Sequence, residues 1–142
     1  MNQDDIRDLA AGAIKAREYA YAPYSNFTVG AALLTADGTL ITGSNVENAA
    51  YPAGLCAERT AVFYAVAHGH RDFRALAVSG GQKDCPPEDY CMPCGMCLQV
   101  LSEFCGEEFD IFIVKSESDL LHLKLKDLLP HAFTIIKEKN IL

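Results

Sequence analysis

Two short stretches hold the residues best suited to chemistry: CAER, Cys56 to Arg59, and PCGMC, Pro93 to Cys97. Each places a cysteine where a loop gives way to a helical pattern. The free N–H groups and the dipole at a helix N-terminus favour the thiolate, the form of cysteine that binds metal. Pro93 suits a helix entry, and the three-residue step from Cys94 to Cys97 sets both sulfurs on one side of the first turn. Gly95 between them allows close backbone approach. Cys56, Cys94 and Cys97 can then converge on one ion. Zinc is the natural occupant of a reduced thiolate site, and three protein ligands leave a fourth tetrahedral position for water, as in catalytic centres. Glu58, two residues beyond Cys56, adds a carboxylate able to take a proton from that water and hand it on.

The same cysteines allow other arrangements. CMPCGMC is similar to a C-x-x-C-x-x-C iron–sulfur run with Cys85 or Cys105 as fourth ligand, although the C-P ending is missing. Cys85, Cys91, Cys94 and Cys97 could instead form a four-thiolate structural zinc site. The pairing of CAE with PCGMC on separate helix starts favours the open, catalytic site. Cys85, Cys91 and Cys105 are then bystanders, since unpaired cysteine is usually a small buried hydrophobe. His68, His70, His122 and His131 lie outside both motifs and read as surface or loop residues.

The elements that must position these groups follow from periodicity and punctuation. Asp4 can cap a first helix, with Ile6, Leu9, Ala10, Ala13, Ile14 and Arg17 at helical spacing, running to about Tyr21 before Pro23. Residues Thr28–Thr35 and Thr39–Ser44 flank Asp37-Gly38, a dipeptide that supplies the positive φ angles of a tight hairpin. The helix opened by Cys56 ends at Gly69 and is apolar nearly all round, which predicts burial. Phe73–Gly80 reads as a buried strand, and Gly81–Met92 as an exposed loop. A second helix runs from Pro93 to about Cys105, with Cys97, Val100, Leu101 and Phe104 on one face and Gly106 as its stop. FDIFIVK is a further buried strand, LHLKLK alternates with period two, and DLLPHAF closes the pattern with a turn or short helix. This order predicts an α/β fold, with helices covering both faces of a mixed sheet.

The chain has 142 residues, half of them apolar, which suits a single domain over 1–142 whose core needs no metal or disulfide staple. Its start, MNQDDIRD, has neither the basic nor the apolar part of a leader, so the reading is a cytoplasmic protein with reduced thiols. No apolar run approaches the roughly 20 residues of a bilayer span, which excludes a membrane helix. The net charge of -7 disfavours a nucleic-acid partner and suits a neutral small molecule.

NVENAAYPAGLCAERTA and MPCGMCLQVLSE closely resemble the small, homotetrameric, zinc-dependent cytidine deaminases. The likeness extends from YAPYSNFTVGAALLT to DLLPHAF. It implies a three-layer α/β/α sandwich around an approximately five-stranded mixed sheet. It also implies one Zn²⁺ per chain on Cys56, Cys94 and Cys97. Glu58 would move a proton to the base N3 and later to the departing amine, converting cytidine or deoxycytidine to the uridine product and ammonia in pyrimidine salvage. The CAE motif in place of the H-x-E of polynucleotide deaminases favours a free pyrimidine nucleoside. Asn45 and Glu47 match the ribose-binding pair, Phe27 the aromatic residue against the base, and Ala57 a backbone contact to it. Tyr51 and Phe133 match residues that a tetramer brings to a neighbouring subunit's site. From the residues alone, Asn45 and Glu47 could equally cap a loop, and Phe27 could belong to the core. The alternatives in function are a nucleoside-antibiotic deaminase of the blasticidin S type and a non-catalytic module stapled by metal.

The chain departs from the family at one telling place. Members commonly read PCGxCRQ, whereas here Leu98 replaces the arginine. Three thiolates and Zn²⁺ sum to one negative charge, which arginines beside the sulfurs offset. Arg59 remains to do so without its companion, so a Leu98→Arg change is expected to shift the alkaline part of the rate profile to lower pH.

Overall fold

The computed structural model describes residues 1–135. Asn2, rather than Asp4, caps α1 (Gln3–Ala16), because its Oδ1 accepts the Asp5 N–H at 2.8 Å. Asp4 and Asp5 occupy the first turn, where they complement the helix dipole. The regular helix ends at Ala16, and residues Arg17–Tyr19 tighten into a 3-10 turn short of the expected end at Tyr21.

The hairpin forms as its turn dipeptide requires. β1 (Phe27–Thr35) and β2 (Leu40–Ser44) pair antiparallel, with Gly38 at φ +90° and Asp37 receiving bonds from Thr35 and Thr39. β3 (Phe73–Gln82) pairs antiparallel with β1, β4 (Asp110–Ser116) parallel with β3, and β5 (Asp119–Lys124) antiparallel with β4. The sheet order is β2-β1-β3-β4-β5, a mixed five-stranded sheet. Between the strands lie α2 (Ala57–Ala67) and α3 (Gly95–Phe104), and a short α4 (Leu125–Leu128) follows β5.

Alternation along the strands divides the core in two. Ala32, Leu34, Ala75, Ala77, Phe112 and Val114 face Leu9, Ala10 and Ala13 of α1. On the other side Leu33, Leu76, Val78, Ile111 and Ile113 meet Ala61, Val62 and Ala65 of α2 and Leu98 and Leu101 of α3. Glycine sets how near the helices come. A Cβ on Gly30 would lie 2.0 Å from the Ala13 carbonyl oxygen of α1, and one on Gly43 would lie 2.6 Å from the Ala57 oxygen of α2. Both helices therefore dock on bare backbone.

Two expectations are corrected here. α2 is not buried all round: Phe63 and Tyr64 are 45% and 54% exposed, an outward apolar face that its own chain leaves open. On α3 the buried set is Cys97, Leu98, Leu101 and Ser102, and Cys105 in extended conformation ends the helix before Gly106. No helix among the described residues is long and apolar enough to cross a membrane.

Candidate active site

Cys56 is the residue that caps α2, and Cys94 the one that caps α3; neither side chain makes a capping hydrogen bond to its helix. Cys97 follows in the first turn of α3 and is 1% exposed. The two helix starts bring the three sulfurs within 4.8 Å of one another. Cys56 Sγ lies 3.8 Å from Cys94 Sγ, and Cys94 Sγ lies 3.5 Å from Cys97 Sγ. Tetrahedral zinc with Zn–S bonds of about 2.3 Å holds its sulfurs about 3.8 Å apart, so the residues fit the ion. Gly95 has a different part from the one its sequence position suggests, because a Cβ there would meet nothing within 4 Å.

Cys56, Cys97 and Arg59 perturb one another's ionisation. Cys56 is drawn down to about 5, first by the hydrogen bond from Cys97 and then by Arg59 and Cys94, against the opposing effect of burial. Cys97 is driven far above the ordinary thiol range by its interaction with Cys56, with burial and Glu58 adding to the effect. Arg59 Nη2 sits 3.4 Å from Cys56 Sγ, while its Nε is buried without a hydrogen-bond partner. Glu58 is 4% exposed on α2, and burial pushes its carboxyl up to about 7, with the Cys56 charge contributing.

Beside Cys56 opens a cavity of about 510 Å³ whose walls include Tyr24, Ser25, Asn45, Glu47, Tyr51 and Arg59. Glu47 is already bound: Oε1 accepts the Tyr24 and Ser25 N–H groups, both at 3.0 Å, and Oε2 accepts the Ser25 hydroxyl. These bonds lower its pKa, the Ser25 hydroxyl most. Asn45 spends one side-chain donor on Phe27 O at 2.9 Å and accepts the Val29 N–H at 2.8 Å, so it fastens β1 as well as facing the cavity.

Phe27, Ala57, Glu58 and Phe133 are not in the wall of this cavity. Phe27 opens β1 with its ring against Gly80, where a Cβ would meet Cys91 Sγ at 2.6 Å and the Phe27 ring at 3.1 Å. Cys91 is thus a packing residue beside Phe27, as a bystander should be, whereas Cys85 is exposed and not buried as expected. Ala57 and Glu58 begin α2, both buried. Tyr51 is 77% and Phe133 73% exposed; Gln99 Nε2 holds the Phe133 carbonyl at 2.7 Å. Among the described residues no histidine joins the metal-ligating cluster: His122 bonds Asp110, and His70 lies near Asp37. Ser25, which joins Glu47 to Phe27, carries no sequence signal beyond its place in PYSNF.

Residues 3–112 match the family model described as the cytidine and deoxycytidylate deaminase zinc-binding region. The chain belongs to this family. A cytidine deaminase of Sporosarcina psychrophila is 46% identical over 130 residues, covering 92% of each chain. The crystal structure of cytidine deaminase from Burkholderia pseudomallei superposes with a TM-score of 0.80 at 45% identity, over 89% of this chain and 97% of that one. A blasticidin-S deaminase of Bacillus cereus is more distant, 28% identical over 109 residues, 75% of this chain and 76% of the relative. For a zinc-binding deaminase, the three sulfurs at tetrahedral spacing and the buried Glu58 beside them form a coherent centre.

Proposed function

We propose that this chain hydrolytically deaminates cytidine and 2′-deoxycytidine to uridine and 2′-deoxyuridine, releasing ammonia, and serves pyrimidine salvage in the cytoplasm. The observation that carries the reading is the trio of sulfurs at zinc-compatible spacing, with the buried Glu58 two residues from Cys56 and a cavity lined by Cys56 and Glu47. Zinc on Cys56, Cys94 and Cys97 supplies the Lewis acidity that activates water at neutral pH. Glu58, fixed in the first turn of α2, takes one proton from the attacking water and delivers it to ring N3, then takes the remaining proton of the hydroxyl added at C4 and passes it to the departing amine, which leaves as ammonia. Arg59 offsets the charge of the thiolates. Glu47 accepts from sugar hydroxyls and disfavours a phosphate near them, which suits a free nucleoside and no nucleic acid. Asn45 uses its remaining side-chain donor on the same sugar. Phe27 and the Ala57 backbone meet the base.

A homotetramer accounts for the apolar surface that the single chain leaves open. Phe63 and Tyr64 on α2, Met96 at 64% exposure on α3, and the outward Tyr51 and Phe133 suit faces that meet a neighbouring subunit, with Tyr51 and Phe133 reaching the neighbour's site. A metal centre of free thiolates fits the reducing cytoplasm. The described residues, 1–135, would form one deaminase domain.

The experiment is a spectrophotometric assay of the zinc-loaded protein against cytidine, deoxycytidine, cytosine, CMP and blasticidin S, with metal analysis. Turnover of the two nucleosides with about one zinc per chain is expected. Zinc without turnover would leave a metal-stapled module, and preference for blasticidin S would make the chain an antibiotic deaminase. Glu58→Gln should keep its zinc and lose at least about 10²-fold in kcat. Full activity in that variant would remove Glu58 from the reaction.

A further inference from the structure

We propose that Ser25 is a substrate-positioning residue, locking the sugar-binding carboxylate of Glu47 to the start of the strand that carries Phe27. The inference rests on the reading of Glu47 as the sugar acceptor and assigns a role to a residue that makes no proposed substrate contact itself.

Its basis is the direction of the hydrogen bonds. A serine hydroxyl has one proton to give. Here it donates to Glu47 Oε2, and the same Oγ accepts the Phe27 N–H at 3.0 Å. The Tyr24 and Ser25 N–H groups hold Oε1. An ionised carboxylate has about four lone-pair directions, three of which are thereby taken, which leaves about one for a ligand hydroxyl. The carboxylate can neither turn nor wander.

The turn that makes this possible is held by its own bonds. Asn26 takes a positive φ of 58° and donates its N–H to Ala22 O at 3.0 Å. Tyr21 is clamped between the segments, its N–H on Asn45 O and its carbonyl accepting the Glu47 N–H. Phe27 is held on both sides: its carbonyl by Asn45 and its N–H by Ser25. Asn45, Glu47 and Phe27 are therefore one hydrogen-bonded assembly, closed by Ser25. Preorganisation of this kind removes the ordering cost that a mobile acceptor would pay on binding. Since Ser25 touches neither the sulfurs nor Glu58, its loss should act on binding through the sugar and spare the chemical step.

The test compares zinc-loaded native protein with Ser25→Ala, Ser25→Thr and Glu47→Ala. Cytidine is measured against 2′,3′-dideoxycytidine, which lacks the ring hydroxyls and serves as substrate or competitive inhibitor. Ser25→Ala should raise KM for cytidine about tenfold, the scale of a hydrogen bond to a charged group, with kcat unchanged. Its affinity for the dideoxy compound should fall much less than that for cytidine, since only the tether to Phe27 then matters. Ser25→Thr, which keeps the hydroxyl, should restore cytidine KM. Equal loss on both compounds, a fall in kcat alone, or no rescue by threonine would overturn the proposal. If Glu47→Ala raises cytidine KM and Ser25→Ala does not, Ser25 alone loses its role. If Glu47→Ala leaves cytidine KM unchanged, the sugar reading of Glu47 falls as well.

Discussion

Arg59 Nη2 lies 3.4 Å from Cys56 Sγ, so a single turn of α2 presents both a metal-binding sulfur and its counter-charge. Three thiolates around Zn²⁺ leave one net negative charge, and a partly buried guanidinium beside the sulfur lowers the cost of gathering them. Arg59→Ala should weaken zinc binding about tenfold, the lower end for partners of metal ligands, while leaving the fold intact. Competition with a chromophoric chelator reads this directly. Arg59→Lys should fall between, because an ammonium is a point charge without the planar fork of the guanidinium. Native affinity in the alanine variant would mean that the thiolates need no help from this cation.

Leu98 gives the complementary prediction. It is 6% exposed and packs within the cluster formed with Ala57, Val62 and Leu101, so in this chain its position serves the core. Leu98→Arg must carry a charge out of that cluster or bury it there, and a loss of about 2–4 kcal/mol in stability is expected from lost packing and desolvation. In the fraction that folds and loads zinc, a guanidinium reaching the sulfurs should shift the alkaline limb of the rate profile to lower pH. A variant that is less stable with an unshifted profile would show that the new cation stays away from the metal.

The metal centre was legible because its logic is local: each cysteine sits at a helix start, and helix starts announce themselves through Pro93, CAE and the change of periodicity. The hairpin was legible for the same reason, since Asp37-Gly38 specifies its turn alone. The Ser25–Glu47 clamp was not, because it joins polar residues 22 positions apart through a turn with no periodic pattern. Asn2 and Asp4 are both good caps, and only the reach of Asn2 to the Asp5 N–H decides between them. On α2, hydrophobicity all round says that every face is to be covered, but not by what. The exposed Phe63 and Tyr64 show that the chain's own core covers only one side.

Gly43 links fold to site. A Cβ there would meet the Ala57 oxygen and the Ala61 nitrogen, each at 2.6 Å, and both belong to the helix that positions Cys56 and Glu58. Helix backbone cannot yield as a side-chain tip can, so Gly43→Ala should lift α2 off β2. A cost of about 1–3 kcal/mol is expected for overpacking, together with weaker zinc binding as Cys56 moves from Cys94. Gly106→Ala, whose Cβ meets nothing within 4 Å, is the control and should change neither. Thermal unfolding and chelator competition on both variants separate the two effects; native zinc affinity in a destabilised Gly43→Ala protein would uncouple helix docking from the metal centre.

Asp110 provides a test of pH dependence far from the metal. It opens β4 opposite Lys124 of the edge strand β5, with Lys124 Nζ at 2.6 Å and His122 Nε2 at 2.7 Å from its Oδ1. Burial acts to raise its pKa, but the bonds from Lys124 and His122 outweigh it, so the folded-state value lies below the ordinary one. A depressed carboxyl pKa means that folding favours the ionised form. Its contribution is therefore fully present above the unfolded pKa of about 3.9 and disappears as pH falls through the lower folded value. Native protein should melt above Asp110→Asn at pH 6, and the gap should close as the pH is taken well below 3.9, because the native carboxyl then becomes neutral like the amide. A gap that persists unchanged into acid would show that Asp110 holds β5 by shape and neutral hydrogen bonding, with its charge contributing nothing.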